Sequence, residues 1–287
     1  MVMKRVALAT SEKFASLTDD DLLLTEPLQR VGISAEAAVW SNPDFLWTSC
    51  DAVIIRSCWD YHLRLPEFLD WIARFEQSGV RVWNSPAALR WNANKTYLRD
   101  LELKGIPIVP TLWPDGTMSL RDQLLELGWS RAVVKPRVSA TAHQTRLVSI
   151  ENAESAQPLF DELLRGPGVM VQRFMEAILT RGEWSLIFFN GEYSHAVIKT
   201  PKAGDFRVQH DFGGHEQSRE PSPDVLQAAT RVVRAMVDVP LYARVDGVES
   251  DGHFLLMELE LIEPALFFFL HSDAPERFAA AVAERVR

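Results

Sequence analysis

Three acidic residues near the carboxyl end of the chain have a spacing that could do chemistry. Residues 240–264 read PLYARVDGVESDGHFLLMELELIEP, a pattern typical of two strands joined by a tight turn at the sequence SDG. Glu258 and Glu260 are two residues apart, so their side chains share one face of the second strand. A loop centred on Gly252 would place Asp246 opposite Glu258. The spacing therefore predicts that three carboxylates converge on one patch of sheet.

Carboxylates at such close range suit a hard divalent cation. They repel one another unless a cation lies among them, and oxygen ligands are those that Mg²⁺ prefers. A Mg²⁺ held by two or three carboxylates keeps coordination positions for water and nucleotide phosphates. The alternative is a solvent-facing strand in which acidic and apolar residues alternate without binding anything. The hairpin is therefore either a Mg²⁺ site or an ordinary half-buried pair of strands.

A lysine and a polar loop in the middle of the chain point to anion binding. Lys135 closes the apolar segment AVVK, and a lysine at the end of a Val-rich strand needs an anionic partner. Residues 138–145, VSATAHQT, then lead to the strand RLVSI. A loop of small and hydroxylated residues between two strands can fold over phosphates, to which it offers backbone N–H groups and hydroxyls.

Arg56 closes an apolar segment in the first third of the chain, where RSCWDYH follows DAVII. Its planar guanidinium suits bidentate binding of a substrate carboxylate, or of a ureido or amide oxygen. Asp60 and Tyr61 would then supply an acceptor and a donor for an amino or hydroxyl group. A structural salt bridge from Arg56 to Asp60 is the alternative.

The elements that position these residues change in character along the chain. The first third alternates strands and helices, which predicts a small parallel sheet with helices on both faces and ligands beyond the carboxyl ends of its strands. Further on, the segment IPIVPT is an edge strand with two prolines, and an Asn-Gly turn joins the hairpin WSLIFF and EYSHAVIK. The expected elements of the first third are strands at Val6–Ala9, Asp51–Ser57 and Val80–Trp83 and helices at Asp21–Arg30 and Pro66–Gln77.

Composition narrows the class of protein. The chain has 287 residues, which favours two or three lobes, and its 47% hydrophobic content with 9 Trp and 15 Phe supplies a sizeable core. A net charge of −9 argues against a nucleic-acid partner, and no apolar run has the length of a membrane span. Cys50 and Cys58 flank an extended segment that spans roughly 26 Å, so we expect no disulfide between them. A cytoplasmic enzyme is expected, and the motifs GxxxxGK[ST], GxGxxG, HExxH and GxSxG are absent.

Several motifs together resemble those of the ATP-grasp ligases, in the branch of glutathione synthetase and the ribosomal S6 modification enzymes. The resemblance covers about residues 84–270 and lies in NKTYL, VVKP, VQRFM, the GE pair and the terminal D…ExE…P set. The segment RSCWDY also resembles the D-cycloserine-forming members of the family. The resemblance implies an α/β chain of α+β lobes: an N-terminal parallel α/β domain (residues 1–110), a small lid lobe (111–170) and a C-terminal antiparallel-sheet lobe with the metal site (171–287).

The resemblance also implies roles for single residues. Lys95 and Lys135 would contact nucleotide phosphates, with Lys135 also near the adenine. Glu183 would hold the ribose hydroxyls, and Arg207 would face the transferred phosphoryl group and the substrate carboxylate. The hinge that reads the adenine edge would be Gln172, Arg173, Phe174 and Met175, and two Mg²⁺ ions would be bound by Asp246, Glu258 and Glu260.

Two positions depart from the family pattern. The loop VSATAHQT stands where relatives are often glycine-rich, so its closure could differ. Glu260 stands where glutathione synthetase has asparagine, which changes the local charge by one unit.

The implied activity is activation of a small-molecule carboxylate by ATP. Phosphoryl transfer would give an acyl phosphate, and an amine acceptor would then form an amide with release of ADP and phosphate. Because acyl phosphates hydrolyse, the hairpin 132–150 is expected to close as a lid. The alternatives are an intramolecular cyclo-ligase, a small-molecule kinase, and a nucleotide-binding regulatory module without turnover. A homodimer is one possible assembly, and neither nucleic acid nor membrane is an expected partner.

Overall fold

The first sheet of the chain is parallel and lies at the amino end. The computed structural model describes residues 3–202, 204–208 and 213–286. The sheet has the strand order β2-β1-β3-β4. β2 was not predicted, because its sequence ISAEAAV is only partly buried at the sheet edge and lacks a continuous apolar run. The strands are β1 (Lys4–Thr10), β2 (Ile33–Val39), β3 (Ala52–Ile55) and β4 (Arg81–Trp83).

Helices cover this parallel sheet. The single helix predicted over residues 21–30 is instead two short helices, α1 (Asp19–Leu22) and α2 (Thr25–Arg30). Thr18 caps the amino end of α1, where its hydroxyl accepts a hydrogen bond from the Asp21 amide. Asp21 is buried. α3 (Leu65–Ser78) ends at a left-handed glycine, as the sequence predicts.

The second sheet is antiparallel and small, with the strand order β5-β8-β6-β7. Its first strand overlaps the predicted strand IPIVPT, residues 106–111, only at Thr111, since two prolines remove N–H donors from that segment. The predicted lobe boundary at residue 170 falls inside the last strand of this sheet. The elements are β5 (Thr111–Leu112), α6 (Leu120–Glu126), β6 (Arg131–Pro136), β7 (Arg146–Ser149), α7 (Ala153–Arg165) and β8 (Val169–Arg173).

The third sheet is a five-stranded antiparallel sheet with the order β11-β10-β9-β12-β13. The Asn190-Gly191 turn joins β9 to β10 with both residues at positive φ, as predicted for a hairpin of this type. The expectation of a parallel amino-terminal sheet and an antiparallel carboxyl-terminal sheet is confirmed. The elements are α8 (Ala177–Arg181), β9 (Glu183–Phe189), β10 (Glu192–Thr200), β11 (His215–Ser218), α9 (Pro223–Arg234), β12 (Tyr242–Ser250), β13 (His253–Glu260) and α10 (Ala274–Val286).

The amino-terminal third of the chain packs against the third sheet through two core clusters. Phe278 and Val282 of α10 share a core cluster with Leu8 and Ile54 of the parallel sheet. The connection between the first two sheets contains α4 (Pro86–Asn92) and α5 (Tyr97–Leu103), and α5 buries Leu98 against the third sheet. Residues up to 110 therefore divide their packing between two sheets, whereas the second sheet has a core of its own.

Candidate active site

A cavity of about 290 Å³ lies where the three sheets meet. All three lobes contribute to its walls: Tyr61 follows the parallel sheet, Lys135 ends β6, and Asp246 lies on β12. Of the residues predicted to act, Arg56 and Asp60 are absent from its walls. Those that line it are Tyr61, Lys95, Lys135, Gln172, Arg173, Phe174, Met175, Glu183, Arg207, Asp246, Glu258 and Glu260.

The acidic hairpin has the predicted pairing, for a different reason than the sequence suggested. β12 and β13 are joined by a two-residue turn, so Ser250 pairs with His253 and Gly247 with Leu256. A bulge then shifts the register by one residue and brings Asp246 opposite Glu258. Gly247 is required at this bulge, because a Cβ there would lie 2.3 Å from a ring carbon of Phe254.

Arg244, which the sequence analysis missed, neutralises two of the acids. It lies opposite Glu260 on β13 and two residues before Asp246 on the same face of β12. Its guanidinium donates to Asp246, with Nη2 at 2.9 Å from Oδ2, and also contacts the Glu260 carboxylate. Burial raises the pKa of Glu260 to about 7, although Arg244 opposes that shift. The signal for Arg244 in the sequence was the alternation of side chains between the two faces of β12, which places Arg244 on the same face as the acid two residues later.

Two lysines neutralise the third acid. Lys135 Nζ lies 2.6 Å from Glu258 Oε1, and Lys95 Nζ lies 3.9 Å from the same oxygen. Lys95 also donates to the Ser139 carbonyl at 2.8 Å. Burial disfavours a charged Glu258, but the two lysines outweigh burial and lower the pKa of Glu258 to about 2.

The three carboxylates do line one cavity, but each has a cation of the protein beside it. The protein's own cations separate the acids, and among the described residues no group of three or more His, Cys, Asp or Glu side chains has the arrangement of a metal site. The donor chemistry nevertheless suits Mg²⁺, since Asp246, Glu258 and Glu260 are oxygen ligands on paired strands in one cavity. For Mg²⁺ to bind, these acids must release the protein cations with which they are paired.

Lys199 is a second cation that the sequence analysis left without a role. It lies opposite Glu183, with Nζ at 2.5 Å from Glu183 Oε1 and 3.6 Å from Asp246 Oδ1. A bulge between Tyr193 and His195 creates this pairing, since the register of the Asn-Gly turn alone would place Ile198 opposite Glu183. Glu183 thus lines the cavity and forms a salt bridge with Lys199 there.

The hinge segment and the loop arginine are already engaged with the protein. The Arg173 amide donates to the Pro110 carbonyl at 2.8 Å, and the Phe174 amide donates to the Arg131 carbonyl at 3.1 Å. Arg207 donates to Asp205 through Nε and Nη2, at 3.1 and 2.8 Å.

Arg56 lies outside the cavity and has a structural contact in place of a substrate. Its side chain is 2% exposed, and its Nε lies 2.8 Å from Asp21 Oδ1. Asp60 instead accepts hydrogen bonds from Trp40 and Arg64. The alternative salt bridge between Arg56 and Asp60 is absent, because α1 carries Asp21 to the end of β3, and the substrate contact stays a prediction for two residues that do not line the cavity.

The loop over the cavity, residues 138–145, adopts a conformation that glycine would favour. Thr141, Ala142 and Gln144 have φ values of 49°, 54° and 51°. The loop thus lacks the glycines of its relatives but has a left-handed backbone. Residues other than glycine are strained in that conformation. His143 in this loop contacts His62 of the amino-terminal domain, with ring centroids 5.1 Å apart.

This histidine contact makes a pH-dependent contribution to stability. Burial, and then the neighbouring His143, lower the pKa of His62 from 6.5 to about 4. The folded state therefore resists protonation that the unfolded state accepts, and stability is lost as the pH falls from 6.5 to 4. We expect His62→Gln to flatten this part of the curve of unfolding free energy against pH, measured by denaturant titration. His253→Gln, on an exposed histidine, should keep the wild-type slope, and equal slopes in all three proteins would contradict the assignment.

Comparison with known proteins identifies the family. The model of the D-cycloserine synthetase DcsG N-terminal domain matches residues 6–84. The cycloserine biosynthesis protein DcsG of Streptomyces lavendulae is 32% identical over 98% of this chain and 99% of that protein. The chain belongs to the ATP-grasp ligases. The crystal structure of D-cycloserine synthetase DcsG superposes with a TM-score of 0.90, at 31% identity, over 99% of this chain and 100% of that one.

More distant ATP-grasp ligases agree with this assignment. A glutathione synthetase of Prochlorococcus marinus (strain MIT 9313) is 30% identical over 66% of this chain and 59% of that protein. The ligase PsnB, solved with Mg and ADP, shares the fold, with a TM-score of 0.67 at 18% identity over 100% of both chains. This ATP-grasp protein is an ATP-dependent carboxylate–amine ligase, and ATP with Mg²⁺ serves the ligases of this fold. None of its described helices is long and apolar enough to cross a bilayer.

Proposed function

We propose that the enzyme phosphorylates the carboxylate of a small molecule with ATP and passes the resulting acyl group to an amine. The observation that carries this proposal is the set of lysine–carboxylate pairs in the cavity, above all the pair of Lys135 and Glu258. When Mg²⁺ and ATP bind, each pair can exchange partners. The lysine then pairs with a phosphate of ATP, and the acid binds Mg²⁺. The exchange conserves charge, so the desolvated cavity keeps every ion paired.

The acids Asp246, Glu258 and Glu260 would hold Mg²⁺, and we propose two ions, as the resemblance to the ATP-grasp ligases implies. When bound, Mg²⁺ neutralises the charge of the transferred phosphoryl group. Lys95 and Lys135 would act on the phosphates beside it, and Lys199 and Arg244 are cationic neighbours available to the same group.

The nucleotide base would bind at the hinge, where Gln172, Arg173, Phe174 and Met175 line the cavity. Because the Arg173 and Phe174 amides already donate within the protein, we expect the Met175 amide and the carbonyl oxygens to read the adenine edge. Glu183 would hold the ribose hydroxyls after releasing Lys199.

The reacting end of the cavity would exclude water and orient the acyl group. Arg207 would face the phosphoryl group and the substrate carboxylate, and residues 138–145 would close over both. Tyr61, whose side chain lines the cavity from the amino-terminal domain, would contact the substrate.

An intramolecular ring closure is the second candidate. It is favoured by the 32% identity to the cycloserine biosynthesis protein over nearly the whole chain, and by the match of residues 6–84 to the DcsG N-terminal domain. The same acyl phosphate would then be attacked by an amine within the substrate. Mass spectrometry separates the outcomes: an amide of two substrates, a cyclised product, a phosphorylated substrate, or no product. A homodimer and a cytoplasmic location stay predictions.

Binding of Mg-ATP tests the pair exchange directly. With a non-hydrolysable ATP analogue, calorimetry should show binding that requires Mg²⁺. Lys135→Met should weaken that binding about 10–100-fold, since a charge-assisted contact to phosphate is lost. Lys13→Met, on an exposed lysine that does not line the cavity, is the matched control. Undiminished affinity in excess chelator, or in Lys135→Met, would count against the proposal.

A further inference from the structure

Two buried side chains form hydrogen bonds with the outer edge of β13. This strand is the last of the third sheet, so the backbone groups on one of its edges need partners from outside the sheet. The Leu259 amide donates to the Tyr97 hydroxyl at 2.9 Å, and Asn92 Nδ2 donates to the Leu259 carbonyl at 2.7 Å. The amide of Leu261, directly after the strand, donates to Asn92 Oδ1 at 2.9 Å. Side chains thus supply here the hydrogen bonds that a neighbouring strand would make.

These hydrogen bonds fix the backbone between two of the acids proposed to bind Mg²⁺. Leu259 lies between Glu258 and Glu260, and the amide and carbonyl that are held belong to the two peptide groups that join it to these acids. Asn92 and Tyr97 are only 7% and 3% exposed, so water cannot readily replace the lost partners if either side chain is removed. A shift of this edge would move both carboxylates together.

The same segment of chain supplies a lysine to the site. Asn92 is the last residue of α4 and Tyr97 the first of α5, and Lys95 lies between them in the connection. The Lys95 amide donates to the Arg137 carbonyl at 2.8 Å, and Lys95 Nζ lies 3.9 Å from Glu258 Oε1. Residues 92–97 therefore hold the strand that carries the acids and also place a cation beside one of them.

Other buried hydrogen bonds of the same hairpin lie outside the cavity. The Asn84 side chain makes three of them, with backbone groups of Leu241, Tyr242 and Leu261 at 2.7 to 2.9 Å. The Tyr242 hydroxyl donates to two carbonyls. None of these bonds involves Leu259, and in the described part of the chain neither Asn84 nor Tyr242 lines the cavity. An asparagine and a tyrosine of matched burial thus serve as controls.

We propose that Asn92 and Tyr97 are positioning residues for Mg²⁺, which they serve by holding the backbone between Glu258 and Glu260. The proposal rests on the proposed role of these acids and names the residues that set their geometry. The polar atoms of Asn92 and Tyr97 are engaged with the strand, so both residues act on the ion through the acids. Removal of groups that orient metal ligands typically weakens metal affinity by about 10–100-fold.

A Mg²⁺ titration of nucleotide binding tests this role. Calorimetry with a non-hydrolysable ATP analogue would give, for each variant, the Mg²⁺ concentration at half-maximal binding. We expect Asn92→Ala to raise that concentration about 10-fold, and Tyr97→Phe, which loses one hydroxyl, to raise it about 3-fold. Asn84→Ala and Tyr242→Phe should lower the melting temperature of the metal-free protein and leave the Mg²⁺ requirement within 2-fold of the wild type.

The variants separate a positioning role from a structural one. A Mg²⁺ requirement within 2-fold of the wild type in both Asn92→Ala and Tyr97→Phe would overturn the proposal, whatever their melting temperatures. An equal rise in the variants of Asn84 and Tyr242 would overturn it as well, because any weakening of the hairpin would then impair metal binding. If Asn92→Ala does not fold, Tyr97→Phe decides alone. Wild-type nucleotide binding that needs no Mg²⁺ would instead overturn the proposed function.

Discussion

Replacing Glu258 by glutamine is expected to lower ADP release on the order of 10³-fold. Glu258 is the acid on which Lys95 and Lys135, the two lysines that we propose to bind phosphate, converge, and it lies opposite Asp246 in the hairpin. An amide oxygen is a weaker ligand for Mg²⁺ than a carboxylate oxygen, so the variant should hold the ion less tightly. The measurement is ADP release under saturating Mg-ATP with the best substrate of a panel of amino acids and small carboxylates.

The same substitution should also destabilise the ligand-free protein. Relief of repulsion among three bare acids would stabilise it, but Lys135 and Lys95 already balance Glu258, so the variant leaves Lys135 without its partner. We expect a loss of about 1–3 kcal/mol in the free energy of unfolding, discounted because the Glu258 side chain is 22% exposed. The folded pKa of Glu258 is about 2 against an ordinary 4.5, so this contribution is present above pH 4.5 and is lost as the pH falls to about 2.

Two results would refute these expectations. ADP release near the wild-type rate would remove Glu258 from the metal site. A higher melting temperature in Glu258→Gln would mean that repulsion, and not pairing with Lys135, dominates the ligand-free cavity. Glu192→Gln on the exposed end of β10 supplies the matched change of charge.

Replacing Arg56 by lysine should cost about 3–5 kcal/mol of unfolding free energy. Arg56 and Asp21 are 2% and 3% exposed, and lysine lacks the fork that reaches both Asp21 and the Pro264 carbonyl. In a chain of this size the melting temperature should fall on the order of 10 °C. Thermal denaturation followed by circular dichroism measures the loss.

A double-mutant cycle separates this structural role from a substrate contact. Asp21→Asn should cost a similar amount, and the double variant should lose less than the sum of both, because the two residues share one buried pair. Arg30→Lys, in an exposed salt bridge, should change stability by less than about 0.5 kcal/mol. A variant Arg56→Lys of normal melting temperature and impaired substrate KM would restore the substrate contact that the sequence suggested.

Much of the active site follows from local sequence rules. The spacing of Glu258 and Glu260 sets a common face, and the Asn190-Gly191 turn sets the hairpin that ends in Lys199. Lys135 and Gln172 could be predicted as cavity residues because strand ends and family motifs are local in the chain. These features need only the periodicity of a strand and the preference of glycine for positive φ.

The ion pairs, by contrast, were decided by register and by contacts between distant segments. One bulge in each hairpin shifts the pairing by a residue, which brings Lys199 opposite Glu183 and Asp246 opposite Glu258. A bulge has no strong signal in a single sequence, because it depends on packing such as that of Phe254 against Gly247.

The partner of Arg56 depends in the same way on tertiary structure. Asp21 lies 35 residues from Arg56 in the chain. The sequence by itself determined which residues carry charge and which face of a strand they share. Which charges neutralise one another was decided only when the lobes packed together, because an ion pair needs two atoms within a few ångströms whatever their separation in the chain.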